Sequence, residues 1–364
     1  MRIGIMTAAG QGNLGDELIL RQELAHLRKR FPGAAFTVFT YARAPHLLDR
    51  VSDIRFVEYF PNGLRRRPLH NLSLAWANWR EIGECDLLVV GGGGIFFTKE
   101  NGRASKAMWH WAWRIATAKW HRVPVTYLAL GASLTTAEFK KWRWLFSGKN
   151  TKISVREPDA QRRLIALGFR PTLVPDPVFT LDKPTIRKGG GRVGLALREG
   201  MLPDEKDAVS GMVEYLVGRG YEPVLICHSA HPDDPSCDDR AFLLPIARKY
   251  GLSIAQSNEE ALASYAFLDF VVAMRLHSAI LAVRYGVPFL ALSYSNKTDE
   301  LLARLRWPHA LAAKSFDLPS FMRAFERLEG AHGAALLDLE AQSRRMASSF
   351  ENVFPTLFSH VGQD

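Results

Sequence analysis

The stretch Ile3-Gly4-Ile5-Met6-Thr7-Ala8-Ala9-Gly10-Gln11-Gly12-Asn13-Leu14-Gly15-Asp16 decides the fold. A short apolar run gives way to a glycine-rich turn. A helical pattern then runs to Arg30, with Leu18, Leu20, Leu24 and Leu27 apolar. This is strand, turn, helix. Ala35 to Tyr41 reads as a second strand, and Asp86 to Val90 as a buried one that ends in Gly91-Gly92-Gly93-Gly94. Val123 to Leu130 and Lys152 to Val155 add further strands, with helical patterns between them. Strands alternating with helices predict a parallel sheet covered on both faces.

The alternation breaks at Thr180-Leu181-Asp182-Lys183-Pro184 and Gly189-Gly190-Gly191, then restarts. Val193 to Leu197, Pro223 to Cys227, Phe270 to Ala273 and Pro288 to Leu292 read as strands, and Ser320 to Asn352 as mostly helical. At about 150 residues per domain, the chain length also gives about two domains. The expected fold is α/β, with two Rossmann-like doubly wound domains, residues 1–182 and 190–364, facing a cleft. In such sheets ligands sit beyond the carboxyl ends of the strands.

With 47% of its 364 residues hydrophobic, the chain can bury two cores without disulfide or metal staples. Three cysteines, Cys85, Cys227 and Cys237, are too few and too odd in number for a disulfide scaffold, and suit a reducing compartment. The apolar run Phe267 to Leu292 carries Asp269, Arg275, His277 and Arg284, so it is not the uncharged span of about 20 residues that a bilayer needs. The apolar start, Met1 to Met6, is too short for a secretory signal. A cytoplasmic location is expected.

The net charge of +10 is unevenly placed. Residues 1–180 hold 27 Lys and Arg against 14 Asp and Glu, whereas 181–364 hold 20 against 23. A basic half attracts nucleic acid, anionic lipid or a small anionic substrate. No zinc-finger, RNA-recognition or basic-zipper pattern is present, so nucleic acid is not an expected partner. Six of the nine tryptophans lie from Trp109 to Trp144, among Lys106, Arg114, Lys119, Arg122, Lys140, Lys141 and Arg143, against the single acid Glu138. Indole beside arginine and lysine suits a membrane interface or a sugar-stacking surface. Trp109, Trp113 and Trp120 also fall on one helical face, where they would simply pack.

Five loops follow predicted strands. Gly10 to Asp16 lets backbone amides approach an anion at a helix start, with Asn13 or Asp16 holding the turn or a hydroxyl. Its Gly10-x-Gly12-x-x-Gly15 spacing matches the dinucleotide fingerprint, but the acid expected about 20 residues on is not evident. The glycines at 91–94 mean close backbone approach, to a ligand or to a neighbouring element. In Ser154-Val155-Arg156-Glu157-Pro158, the planar fork of Arg156 suits carboxylate or phosphate, or pairs with a nearby acid. Arg275-Leu276-His277-Ser278 puts a fixed cation, a titratable ring and free amides in one turn. Ser293-Tyr294-Ser295-Asn296-Lys297 offers one more cation. Cys227, His228, His231 and Cys237, with Asp233 and Asp234, match no standard zinc spacing, and a proline-rich turn is the simpler account.

These loops together resemble the polysaccharide pyruvyl transferases. The resemblance is carried by Gly12-Asn13-Leu14-Gly15-Asp16, Gly91-Gly92-Gly93-Gly94-Ile95, Ser154-Val155-Arg156-Glu157, Val174-Pro175-Asp176-Pro177, Arg275-Leu276-His277-Ser278, and Gly286-Val287-Pro288 through Lys297. It runs from near residue 3 to near residue 300. It implies a glycosyltransferase-B-like pair of Rossmann domains. It also implies transfer of the enolpyruvyl group of phosphoenolpyruvate to two hydroxyls of a sugar, making a pyruvate ketal. On that resemblance Arg156, Arg275 and His277 are the expected catalytic residues. Gly12, Asn13, Asp16, Gly92, Gly93, Leu276, Ser278 and Lys297 are the expected substrate contacts. The first domain is then the acceptor side and the second the phosphoenolpyruvate side.

The residue types fit that chemistry. Phosphoenolpyruvate carries a phosphate and a carboxylate, both suited to bidentate arginine. His277 is the natural proton mover, as acid toward C3 or as base toward the sugar hydroxyl. The scheme requires no metal and no cofactor beyond the donor. The acceptor is a glycan or a lipid-linked sugar, and stretch 106–144 would bring the enzyme to an anionic inner membrane face. The alternative on the same architecture is a nucleotide-sugar glycosyltransferase, although no convincing ribose-binding acid stands in the second half.

Overall fold

A computed structural model describes residues 1–40, 53–60, 68–98, 107–185, 189–231 and 237–361. Tyr41, Lys106, Asp233 and Asp234, cited above, lie outside these residues, as does part of the 180–191 break.

Eight strands form the first sheet: β1 (Arg2–Met6), β2 (Ala35–Thr40), β3 (Ile54–Glu58), β4 (Leu87–Val90), β5 (Gly93–Phe97), β6 (Val125–Ser133), β7 (Thr151–Val155) and β8 (Thr172–Leu173). Their order is β3-β2-β1-β4-β6-β7-β8, and β5 also pairs with β6. Six more form the second: β9 (Arg192–Ala196), β10 (Glu222–Ile226), β11 (Ser253–Ala255), β12 (Phe270–Ala273), β13 (Phe289–Ser293) and β14 (Ala310–Ala312), in the order β11-β10-β9-β12-β13-β14. All the pairings are parallel. The fold is thus α/β with two Rossmann-like domains. In each sheet the order reverses between its first and fourth strands, β1 and β4 or β9 and β12. The crevice at such a reversal is where doubly wound sheets take their ligands.

The central strands read as unbroken apolar runs because both faces are covered. Leu87–Val90 is buried at every position, as are Phe270–Ala273 and Phe289–Ser293. The first sheet has a core on each face. One gathers Leu88, Val90, Phe96, Ile115, Tyr127 and Phe146. The other gathers Ile3, Ile5, Leu20, Leu24, Leu27, Phe36 and Val89.

Strand β6 is irregular. Its pairing with β7 shifts register between Tyr127 and Leu130, and Ala129 adopts φ +48°. Ser154 repairs the break: its Oγ accepts from Ala129 N at 2.9 Å and donates to Tyr127 O at 2.9 Å. The bulge turns β6 so that Arg156 N can donate to Leu130 O at 3.2 Å, just before Gly131.

The chain divides elsewhere than at the expected 182 and 190. One compact unit comprises Met1–Gln11, Asp16–Pro177 and Ser348–Asp364; the other comprises Gly12–Gly15 and Val178–Ala347. The boundary moves upstream because Val178, Phe179 and Leu181 are buried side chains, and Leu181 O accepts from Arg284 Nε. The tail returns because Phe350, Phe354, Leu357 and Phe358 complete the core around Leu20, Leu24 and Leu27. Each such burial stabilises by about 1.5–3 kcal/mol. Residues 320–352 are mostly helical, as expected, in two helices, Leu318–Gly330 and His332–Val353.

Candidate functional site

Most of the motif residues of the second unit meet at the carboxyl edge of its sheet. Beyond β10, Cys227, His228 and Ser229 are buried, and segment Gly12–Gly15 docks on them. Asn13 bridges Ser229, Leu14 N donates to His228 O at 2.9 Å, and Ala230 N donates to Gly12 O at 3.0 Å. Gly12 sits at φ +78°, and a Cβ there would overlap Ala230 O, so only glycine fits. Asn13 Oδ1 accepts from Gly15 N at 3.0 Å and shapes the helix start. A Cβ on Gly15 would overlap the His277 imidazole.

His277 follows β12 in the first turn of helix Leu276–Tyr285, whose N-cap is Arg275. Arg275 Nη2 pairs with Asp239 Oδ1, and the Arg275 side chain is 15% exposed. The other oxygen of Asp239 accepts from His228 N and Ser229 N, each at 3.0 Å. Burial pushes the Asp239 carboxyl above its ordinary range, against the pull of Arg275 and the two amides. Asp239 therefore fixes one edge of the guanidinium. The buried Arg275 Nε has no hydrogen-bond partner among the described residues, so the arginine keeps donor capacity in reserve.

Ser278 lies in a buried chain. Tyr265 Oη donates to Ser278 Oγ at 2.6 Å and is 2.7 Å from His228 Nε2. Burial, with Arg275 and His277 nearby, holds the His228 pKa well below the usual imidazole range, so that ring stays neutral. Leu276 is half-buried in the same turn. Past β9, Arg198 Nη1 donates to Tyr294 Oη at 3.2 Å, and its guanidinium lies over that ring at 5.4 Å. Lys297 is half-buried in the first turn of helix Asn296–Leu305, after β13. Arg198, Arg275 and Lys297 thus follow three neighbouring strands, and the edge is cationic.

The first unit holds the remaining motif residues in a buried cluster. Gly92 N donates to Glu23 Oε1 at 2.6 Å, and a Cβ on Gly91 would lie 2.5 Å from Glu23 Oε2. Gly93, at φ +99°, opens β5, and a Cβ there would be 2.9 Å from Asp16 Oδ1. The glycines are small because neighbouring elements approach them. At Gly92 the amide is engaged by Glu23, the neighbouring-element reading of these glycines. Glu23 is wholly buried, and desolvation pushes its pKa up to about 8, with Asp176 adding to the rise while the Gly92 amide and Arg156 oppose it.

Arg156 pairs with nearby acids, one of the two readings its sequence allowed. Its side chain is 7% exposed, its Nε lies 3.0 Å from Glu157 Oε1, and its Nη1 lies 2.5 Å from Asp176 Oδ2. Burial works against its charge, but the two carboxylates outweigh burial and raise the guanidinium pKa. Glu157 Oε2 accepts from Ala132 N at 2.9 Å, tying the cluster to β6. Two acids thus engage the Nε and Nη1 of this guanidinium.

Arg198 and Asp239 escaped sequence reasoning. Arg198 had a usable signal: like Arg275 it directly follows an apolar strand, Val193 to Leu197. Asp239 had none, because its partner lies 36 positions away.

The tryptophans divide. Trp111 and Trp142 are buried, whereas Trp109 and Trp120 stand out from the surface. Among the described residues no helix is long and apolar enough to cross a membrane.

Two parallel sheets of this order, with a cationic rim at the carboxyl edge of the second, define a doubly wound α/β architecture with a site suited to anions. The sequence profile of the polysaccharide pyruvyl transferases matches residues 13–296, and the chain belongs to that family. Solved structures agree on the fold. A UGT transferase from Siraitia grosvenorii in complex with UDP has a TM-score of 0.58 at 13% identity, covering 99% of this chain and 98% of that one. A glycosyltransferase from Rickettsia africae also has a TM-score of 0.58, at 11% identity, covering 100% and 99%. The UDP-GlcNAc 2-epimerase of Methanocaldococcus jannaschii has a TM-score of 0.54 at 11% identity, covering 90% and 92%. Comparison with curated protein sequences finds no match. The protein is a transferase of glycosyltransferase-B-like fold in the polysaccharide pyruvyl transferase family.

Proposed function

We propose that the protein transfers the enolpyruvyl group of phosphoenolpyruvate to two hydroxyls of a sugar and releases phosphate, in the biosynthesis of a bacterial polysaccharide or cell-surface glycan. The observation that carries this reading is the Asp239-anchored Arg275 with His277 in the same turn, at the strand reversal of the second sheet.

In this scheme Arg275 receives the phosphate or carboxylate of the donor, with the amides at the start of helix Leu276–Tyr285. Arg198 and Lys297 add charge at the same rim. A proton adds to C3 of the enol, making it a methyl group and C2 electrophilic. A sugar hydroxyl attacks C2 and loses its proton, and the C2–O–phosphate bond breaks. The second hydroxyl then attacks C2, loses its proton and closes the ketal. One of the two released protons balances the one gained at C3, and the other leaves with phosphate and solvent. His277 moves a proton in this sequence, and Arg275 stabilises the departing phosphate. Arg156 acts at a distance: it pairs with Glu157 and Asp176, and Glu157 in turn holds β6 through Ala132 N. The acceptor is a free or lipid-linked saccharide.

The test is phosphate release from phosphoenolpyruvate with and without a panel of saccharides, beside His277→Ala. Acceptor-dependent release, a product heavier by a pyruvate ketal, and loss of both in the variant would support the proposal. No release with any acceptor, together with tight binding of a nucleoside diphosphate, would replace it with nucleotide-sugar glycosyl transfer.

A further inference from the structure

Helices Pro68–Gly83 and Ala107–Trp120 pack against each other in the first unit and carry apolar side chains that stand exposed. On the first, Leu69, Leu72 and Trp76 recur at helical spacing and are 80%, 69% and 65% exposed. On the second, Trp109 and Trp120 fall on one side and are 64% and 78% exposed. Ring contacts link these positions. Trp76 stacks on Trp79 at 5.5 Å, and Trp79 meets His121, the neighbour of Trp120, at 4.2 Å. Trp109 meets Trp142 at 4.8 Å, Trp142 meets Trp144 at 6.4 Å, and Lys119 Nζ sits 5.7 Å from the Trp144 ring.

From residue 107 to 152 the surface charge is basic, whereas Glu81 and Glu84, on and just after the first helix, are each paired with arginine. Arg122, Lys140, Lys141 and Arg143 are exposed. The single acid from residue 107 to 152, Glu138, is buried and accepts from Trp142 Nε1 at 2.9 Å. Exposed indoles beside the exposed Lys140 and Lys141 match the amphipathic zone of an anionic bilayer, where the ring sits at headgroup level and the cation meets phosphate. A symmetric contact between two copies would set these cations against one another.

We propose that this face, including helix Pro68–Gly83, docks on the surface of an anionic membrane. The proposal goes beyond the reaction above, and its readout does not depend on turnover. The experiment is flotation of the full chain with phosphatidylcholine vesicles made with and without phosphatidylglycerol. The chain should float only with the anionic vesicles, and less so as salt rises. Trp76→Ala with Trp120→Ala should weaken binding by about tenfold or more. Lys140→Glu with Lys141→Glu should do the same. These side chains are exposed, so both variants should keep the wild-type melting temperature. Absence of flotation would overturn the proposal, as would binding unchanged in both variants, equal binding to neutral vesicles, or a dimer that the tryptophan variant converts to monomers.

Discussion

Gly15 and His277 touch across the second unit: the imidazole occupies the space that a Cβ on Gly15 would fill. Gly15 is helical and its φ is not positive, so nothing in its backbone requires glycine. Its requirement comes from the ring.

Gly15→Ala therefore sets two effects against each other. Alanine favours a helix interior by about 1 kcal/mol. The overlap forces His277 out of place, and misplacement near the chemistry costs about a hundredfold in rate. The variant should stay folded, with melting temperature changed by a few degrees, and lose nearly all acceptor-dependent phosphate release. Wild-type turnover would show that the His277 position does not matter.

Asp239→Asn removes the charge that anchors Arg275. Breaking a buried ion pair costs about 3–5 kcal/mol, and the asparagine can still accept from His228 N and Ser229 N. The loss should fall near the lower end in urea unfolding. The KM for phosphoenolpyruvate should rise, because the freed guanidinium is no longer preorganised.

Arg156→Met separates a structural role from a ligand role. It leaves Glu157 and Asp176 buried without their cation, and should lower stability by about 3–5 kcal/mol. Any loss of donor affinity should follow the loss of folded protein. A stable variant with weakened phosphoenolpyruvate binding would return Arg156 to the substrate.

Glu23 sets a pH dependence with a definite sign. Its carboxyl is raised from 4.5 to about 8 in the folded chain, so between these values the folded state binds a proton that the unfolded state has lost. Its contribution is full below pH 4.5 and declines as pH climbs to about 8. Glu23→Gln keeps the acceptor for Gly92 N and removes the titration. Unfolding free energies across this window should fall with pH by several kcal/mol less in the variant, given about 1.4 kcal/mol per pKa unit. Parallel curves would show that Glu23 ionises normally.

Much of the fold was legible because buried parallel strands are apolar throughout, as in Leu87–Val90 and Phe270–Ala273. Short edge strands were not: β8, β11 and β14 have two or three residues and no periodicity to read. The turn Arg275 to Ser278 was legible because arginine and histidine directly follow a strand. The pairing of Arg156 with Asp176 was left open, since a guanidinium fork suits a ligand phosphate and a protein carboxylate equally well. The tail was legible as mostly helical from Ser320 to Asn352, but nothing in that pattern showed that Phe350 and Phe354 would close the first core.

That tail bears on how the chain is made. Phe350, Phe354, Leu357 and Phe358 close a core begun by Ile3 and Ile5. The first unit therefore cannot mature as it leaves the ribosome. It must wait, with apolar surface open to chaperones, while the whole second unit is synthesised at about 5–20 residues per second. A stop codon after Ala347 would remove no sheet strand, yet would leave the earliest-made core permanently unfinished.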